Sequence, residues 1–176
     1  MLPAGIDPQL HLSRNDTKQP FWLICEKDTV LITIAGAGKV EFVAGPARYH
    51  TLAPGDFVYV PSGTPHRIVP SAPCVHLRYK AEHAGLEGVA WYCETCGTEL
   101  HREVWDTADE LPQEGYLRAT RAFNADAKRR TCKCGAAHPA IDLTPYKWAE
   151  VAAEIRKDMA ADAAKEAAKQ AAKAPA

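Results

Sequence analysis

The sequence predicts an all-β sandwich or barrel, followed by a four-cysteine metal knuckle and a terminal α-helix. Three observations carry this. Short β-branched and aromatic runs separated by Gly and Pro turns fill the first half. Two Gly-flanked cysteine clusters lie beyond them. The last thirty or so residues turn to helical spacing and then to an Ala/Lys-rich stretch.

The β region spans 1–83. Thr29-Val-Leu-Ile-Thr-Ile34 reads as a strand and Val40-Glu-Phe-Val43 as another, and Ala35-Gly-Ala-Gly38 between them suggests a hairpin. Pro54-Gly-Asp56 is a turn signal before a strand at Phe57–Val60, and Cys74–Tyr79 is the next strand. Residues 84–142 form a second unit, an extension packed on the barrel. It holds four cysteines and few strand signals. Residues 143–176 form the third. Thr144 is read as the N-cap and Pro145 as the first helical residue, with Trp148, Val151, Ala152, Ile155 and Met159 at helical spacing. Beyond Ala160 no bulky apolar residue remains, so the tail is expected to be a frayed helix or a disordered end.

Composition narrows the function classes. Hydrophobic residues make up 47% of 176, enough for a real core. The net charge of -1 argues against nucleic acid as the main partner. No apolar run approaches the ~20 residues of a membrane helix, so no membrane is expected. Met1-Leu-Pro-Ala-Gly-Ile-Asp7 lacks the pattern of a signal peptide. A cytoplasmic location is the expectation, and there six cysteines are better read as thiolates than as disulfides.

The stretch Gly55-Asp-Phe-Val-Tyr-Val-Pro61-Ser-Gly63-Thr-Pro-His66 has the spacing G-x5-P-x-G-x2-H. It resembles the second motif of cupins, which form a double-stranded β-helix or jelly-roll barrel. The resemblance implies that the turn at Pro61–Gly63 points His66 inward, where metal-binding cupins use it as a ligand. A barrel histidine hydrogen-bonded to its neighbours is the competing reading.

Cys93-Glu-Thr-Cys96-Gly97 is a C-x2-C-G knuckle, and Cys132-Lys-Cys134-Gly135 follows after 35 residues. Together Cys93, Cys96, Cys132 and Cys134 offer four thiolates to one tetrahedral zinc or iron, a closed and therefore structural site. The second knuckle is one residue short of the usual spacing, which leaves His138 as a substitute ligand. Cys25 and Cys74 lie in apolar runs and are read as core.

The order of cupin motif, Trp91-Tyr92-Cys93-x2-Cys96-Gly97 and Arg129-Arg130-Thr-Cys132-x-Cys134-Gly135-x2-His138-Pro139 resembles bacterial 3-hydroxyanthranilate 3,4-dioxygenases over roughly residues 10–140. These are non-haem Fe(II) enzymes of tryptophan and kynurenine catabolism that open an aromatic ring with O2 and carry a second, four-cysteine metal. The resemblance implies Fe(II) on two histidines and a glutamate. Here only the last histidine has a counterpart, His66. The stretch Arg14-Asn-Asp16-Thr-Lys18-Gln-Pro20-Phe-Trp22 keeps the arginine and aspartate but has Lys18 at the histidine position and Pro20 near that of the glutamate. A substrate-binding arginine corresponds to Pro70 and a pocket glutamate to Arg78. Strand alternation puts His76 on the face of Arg78, so His66 and His76 are the candidate barrel ligands. His11, Glu26 and Glu41 are further candidates, and His50 is expected on the rim.

Three functions remain open. The first is an oxygenase with a rebuilt iron site, acting on a small aromatic acid. His66 and Arg14 would be catalytic, His76 a ligand, and Arg14, Trp22 and Arg78 would hold the substrate. The second is a non-catalytic module binding a small anionic aromatic molecule. The third is an accessory barrel that mainly forms a homodimer.

Overall fold

The computed structural model describes residues 9–173. The signal-peptide reading of residues 1–7 and the last three residues of the tail lie outside them. The spine is one antiparallel pair, β3 (Thr29–Phe42) against β6 (His66–Lys80). On β3 lie β4 (Tyr49–Leu52) and β5 (Phe57–Val60); on β6 lie β1 (Gln9–Asn15) and β2 (Trp22–Cys25). The sheet continues through β7 (Leu86–Tyr92) on β2 and β8 (Glu99–Asp106) on β7. This is an antiparallel barrel of the cupin type. Alternate residues of each strand point inward, and Leu31, Val40, Leu52, Val58, Val60, Ile68 and Cys74 form its apolar core.

The expected hairpin at Ala35–Gly38 does not form. β3 runs straight through it as one strand, with three register shifts against β6 between Thr33 and Gly38. Gly36 makes this possible. Its φ is 81°, and a Cβ there would fall 2.1 Å from the carbonyl oxygen of Pro73. The glycines therefore mark bulges that bend a long strand rather than a reversal of the chain.

Residues 84–142 hold two strands that the alternation rule misses, and the sheet runs without a break from β2 into them. From Glu87 to Trp91 every residue of β7 is buried, so no period of two is visible. One face packs on α1 (Pro112–Ala125). This helix starts with Pro112 and is tied down by the Glu114 carboxylate, which accepts the Leu111 N–H at 2.9 Å. Its buried residues are Gly115, Ala119, Thr120 and Phe123, three of them spaced by four. Phe123 stacks on Trp91 at 4.3 Å in a second core with Phe21, Leu23, Val89 and Trp105. A short turn, α2 (Ala127–Arg130), leads to the second cysteine cluster.

The last helix, α3 (Trp148–Lys173), begins later than Thr144. The Asp142 carboxylate accepts the Thr144 N–H at 2.9 Å, and the Tyr146 N–H closes a turn on Leu143. Thr144 and Pro145 are thus spent in a turn, and the first helical bond runs from Val151 N–H to the Lys147 carbonyl. Trp148 anchors the helix on Phe21 (5.7 Å) and Tyr116 (5.8 Å), and Arg156 pairs with Glu114 at 2.7 Å. Residues 160–171 are helical and exposed.

Candidate functional site

A cavity of about 680 Å³ opens between β1, the loop before β2, α1 and the start of α3. Phe21, Tyr116, Tyr146 and Trp148 give it aromatic walls, and Arg78, Lys80 and His11 reach it from the strands. Arg78 and Lys80 are both buried. They share a face of β6 because they are two residues apart.

His66 lies behind Arg78. Its Nδ1 is 2.9 Å from the Thr64 carbonyl, an acceptor only, so Nδ1 carries the proton. Its Nε2 is 2.8 Å from Arg78 Nη1, a donor only, so Nε2 presents its lone pair to the guanidinium. Complete burial, then the charge of Arg78, pull its pKa down to about 3. His66 is therefore neutral, with both nitrogens engaged. Arg78 Nη1 also donates to Thr29 Oγ1 at 3.3 Å.

His76 lies farther along β6. Its Nε2 is 3.0 Å from Cys74 Sγ, and its Nδ1 is buried without a partner, as is Thr33 Oγ1 on the facing strand. Burial and then Arg78 lower its pKa.

Sequence reasoning passed over a buried polar cluster beside the same cavity, where Lys80 and Tyr116 line the wall. Lys80 Nζ pairs with Glu87 Oε2, and Tyr116 donates from its hydroxyl to Glu87 Oε1 at 2.5 Å. The side chains of Lys80 and Glu87 are 6% and 1% exposed. Burial first, then Glu87, push the Tyr116 phenol well above its ordinary pKa. Glu87 balances Lys80, so among the described residues Arg78 is the buried charge here with no carboxylate paired to it. The i, i+2 rule that placed His76 beside Arg78 also reaches Lys80; Glu87 was hidden because β7 was not read as a strand.

The other candidates fall as follows. Arg14 lines the cavity mouth, with Nε 2.9 Å from Asp16 Oδ1. Trp22 stands apart from the cavity, since alternation on β2 turns it outward under the Arg67 guanidinium (4.2 Å), and Phe21 supplies the aromatic wall instead. Lys18 turns outward toward Glu94 at 3.9 Å, while Pro20 lines the cavity. Glu41 binds Arg67 and Lys39, Glu26 binds Lys27 and the Leu86 N–H, and His50 is exposed on β4. His11 bonds to Gln9 at 2.9 Å, and its pKa is lowered by burial and then by Lys80.

The donors at the barrel do not fit a facial Fe(II) site. Such a site needs three ligands on one side of the ion. His66 already gives its one lone pair to a cation, and a divalent ion there would face Arg78 directly.

The cysteine cluster is different. The ligand atoms of Cys93, Cys96, Cys132 and Cys134 lie within 4.8 Å of one another, with Cys93–Cys134 at 3.6 Å and Cys96–Cys132 at 3.5 Å. A tetrahedral ion with Zn–S of ~2.3 Å spaces its sulfurs about 3.8 Å apart, so this set fits a metal. In the first knuckle the Gly97 N–H returns to the Cys93 carbonyl at 2.8 Å; in the second the Gly135 N–H returns to Cys132 at 2.9 Å. The missing residue is absorbed there, in a return one residue shorter, with both glycines at positive φ. The Thr98 hydroxyl and backbone lower the Cys96 thiol to about 6. The backbone N–H of Cys134 favours the Cys132 thiolate, but desolvation and the neighbouring thiols outweigh it and push Cys132 to about 12. A shared cation removes that conflict. His138 is not part of the cluster: its Nδ1 bonds to the Pro139 carbonyl at 2.7 Å.

No family model matches the chain. Among curated proteins it is similar to the 3-hydroxyanthranilate 3,4-dioxygenase of Meyerozyma guilliermondii, 26% identical over 137 residues, covering 77% of this chain and 75% of the relative. The enzyme of the same name from Burkholderia cenocepacia is 26% identical over 106 residues, and the match spans just over half (56%) of each chain. Among solved structures, a cupin-2 domain protein of Shewanella frigidimarina overlaps 43% of this chain and 72% of its own, at 20% identity and a TM-score of 0.38. A hydroquinone 1,2-dioxygenase of Sphingomonas sp. TTNP3 overlaps 42% of this chain and 58% of its own, at 16% identity and a TM-score of 0.37. The chain has a cupin-type barrel and resembles 3-hydroxyanthranilate 3,4-dioxygenases.

Proposed function

We propose that the barrel is a binding module for a small anionic aromatic molecule and does not carry out the ring opening named for its relatives. The contact of Arg78 Nη1 with the bare Nε2 of His66 carries this reading. It puts a fixed guanidinium where a metal-binding cupin needs an empty coordination position. A guanidinium has five N–H donors in a planar fork. Nη1 is spent on His66 and Thr29, and the remaining edge can take a carboxylate from the cavity in a charge-assisted pair. Phe21, Tyr116 and Trp148 provide surfaces against which an aromatic ring can pack. Arg14 lies at the mouth, paired with Asp16. His66 acts on Arg78 as a positioning residue, and being neutral it does not repel it.

The same reading gives the cysteine cluster one zinc or iron ion with a structural role, because four thiolates leave no open position for chemistry. It also takes the protein as a cytoplasmic homodimer.

Calorimetric titration of 3-hydroxyanthranilate or salicylate into anaerobic, chelator-treated protein tests the proposal. Binding by the wild type and at least tenfold weaker binding by Arg78→Gln are expected; equal affinity in the two would overturn it. The relatives' name motivates the second reading, an oxygenase with a rebuilt iron site. Loading with Fe(II), then adding 3-hydroxyanthranilate and air, decides between them. Ring-opened product in the near ultraviolet, lost in His66→Ala, would establish the enzyme.

A further inference from the structure

The four clustered cysteines are not equivalent. Cys96 and Cys134, one from each knuckle, are exposed, while Cys93 and Cys132 are buried. The close sulfur contacts run between the knuckles and join unlike members. Exposed Cys96 lies 3.5 Å from buried Cys132, and exposed Cys134 lies 3.6 Å from buried Cys93. The residue after each exposed cysteine is a glycine with open space around it: a Cβ built on Gly97 or Gly135 would meet no atom within 4 Å. The frame under the sulfurs closes without an ion. The Cys93 N–H donates to the Thr98 carbonyl and the Cys132 N–H to the Ala136 carbonyl, both at 2.8 Å. Arg129, just before the second knuckle, holds it to β8 through Glu103 at 2.9 Å.

We propose that this cluster is a site of reversible oxidation by hydrogen peroxide, which joins Cys96 to Cys132 and Cys93 to Cys134 and expels the bound ion. The inference rests on the metal reading of the cluster given above. A bound ion keeps the sulfurs as thiolates, the form that attacks peroxide. The exposed sulfur of a pair attacks the O–O bond. An S–O bond forms, and the departing hydroxide takes a proton to become water. The buried thiolate then attacks that sulfur. The S–S bond forms, the S–O bond breaks, and a second hydroxide leaves as water after taking a proton. Two thiolates have lost two electrons and one peroxide has gained them. The second pair repeats the sequence with a second peroxide. An accessible thiolate beside a resolving partner is the arrangement of a peroxide-sensitive cysteine. To pass from 3.5 Å to the ~2.05 Å of a disulfide, each sulfur moves by about 0.7 Å. Two disulfides offer the ion no thiolate, and they span 36 and 41 residues, so they tie the knuckles together in its place.

The test uses the full chain loaded with zinc, which has no redox chemistry of its own. Peroxide should release the zinc to a colorimetric chelator, with two peroxides consumed per ion and Cys25 and Cys74 left as free thiols. Dithiothreitol and fresh zinc should restore the starting state. Trypsin cuts after Lys133 and so separates Cys132 from Cys134, while Cys93 and Cys96 stay together on the peptide 81–102. Mass spectrometry should find that peptide tied to both fragments, and fragmentation between Cys93 and Cys96 assigns each bond. The oxidised, zinc-free chain should melt about 5 °C or more above the reduced chain stripped by a chelator. Zinc retained in excess peroxide, bonds confined within each knuckle, or release with sulfinic acids and no disulfide would overturn the proposal while leaving the metal reading intact. A chain that takes up no zinc at this cluster would overturn both.

Discussion

Replacing Lys80 by Met should cost the fold about 3–5 kcal/mol, the range for removing one partner of a buried ion pair. Lys80 and Glu87 are almost completely shielded from water, so solvent screening does not reduce that cost. Without Lys80 the Glu87 carboxylate keeps one hydrogen-bond partner, the Tyr116 hydroxyl, and its other oxygen loses its ion pair. A domain of this size has roughly 5–15 kcal/mol in total, so the variant should lose a large part of its stability and about 10 °C or more of Tm. The double variant Lys80→Met, Glu87→Leu removes both charges and should recover most of the loss, because well-packed apolar residues replace buried pairs at little cost. Urea unfolding of the wild type, both single variants and the double variant closes the cycle. A loss under about 1 kcal/mol in Lys80→Met, or a double variant less stable than either single one, would refute the reasoning about this cluster.

Three further outcomes are expected. Cys93→Ser should lower the metal content per chain and the melting temperature together, since metal affinity at such a cluster is coupled to folding; elemental analysis with calorimetry checks it. Deleting residues 161–176 should leave the melting temperature nearly unchanged, because the described part of that stretch is exposed. Stability should fall as pH drops below about 6.5. The unfolded chain then protonates a histidine that the folded chain keeps neutral down to about 3, so the cost is about 2 kcal/mol between pH 6.5 and 5. His66→Gln should flatten that slope in urea titrations at the two pH values.

Much of the fold was legible because the signals were local. The turn motif from Gly55 to His66 sets the chain reversal before β6, and the two Cys-Gly knuckles close on their own backbones. What was missed depended on partners distant in sequence. Ala35–Gly38 looks like a turn until β6 lies against it. β7 is buried on both faces and so has no alternation to read. The face of α1 at Gly115, Ala119 and Phe123 has the right spacing, but only Phe123 on it is bulky and apolar, so its burial becomes evident only under Trp91 and Trp105. In the cavity, alternation along β6 grouped His76 with Arg78. It did not show that Arg78 would bond to His66, because that contact depends on how far two side chains of one bent strand reach across the barrel.

That contact also admits the most direct measurement. Nitrogen-15 spectra of the histidine rings report which nitrogen carries the proton and whether either meets a metal. The expected result is a neutral His66 with the proton on Nδ1, unchanged from pH 7 to 5, and an Nε2 signal unmoved by anaerobic Fe(II). A His66 that titrates near 6.5, or an Nε2 signal shifted or broadened away by Fe(II) and restored by a chelator, would contradict it and place a metal where the guanidinium is described.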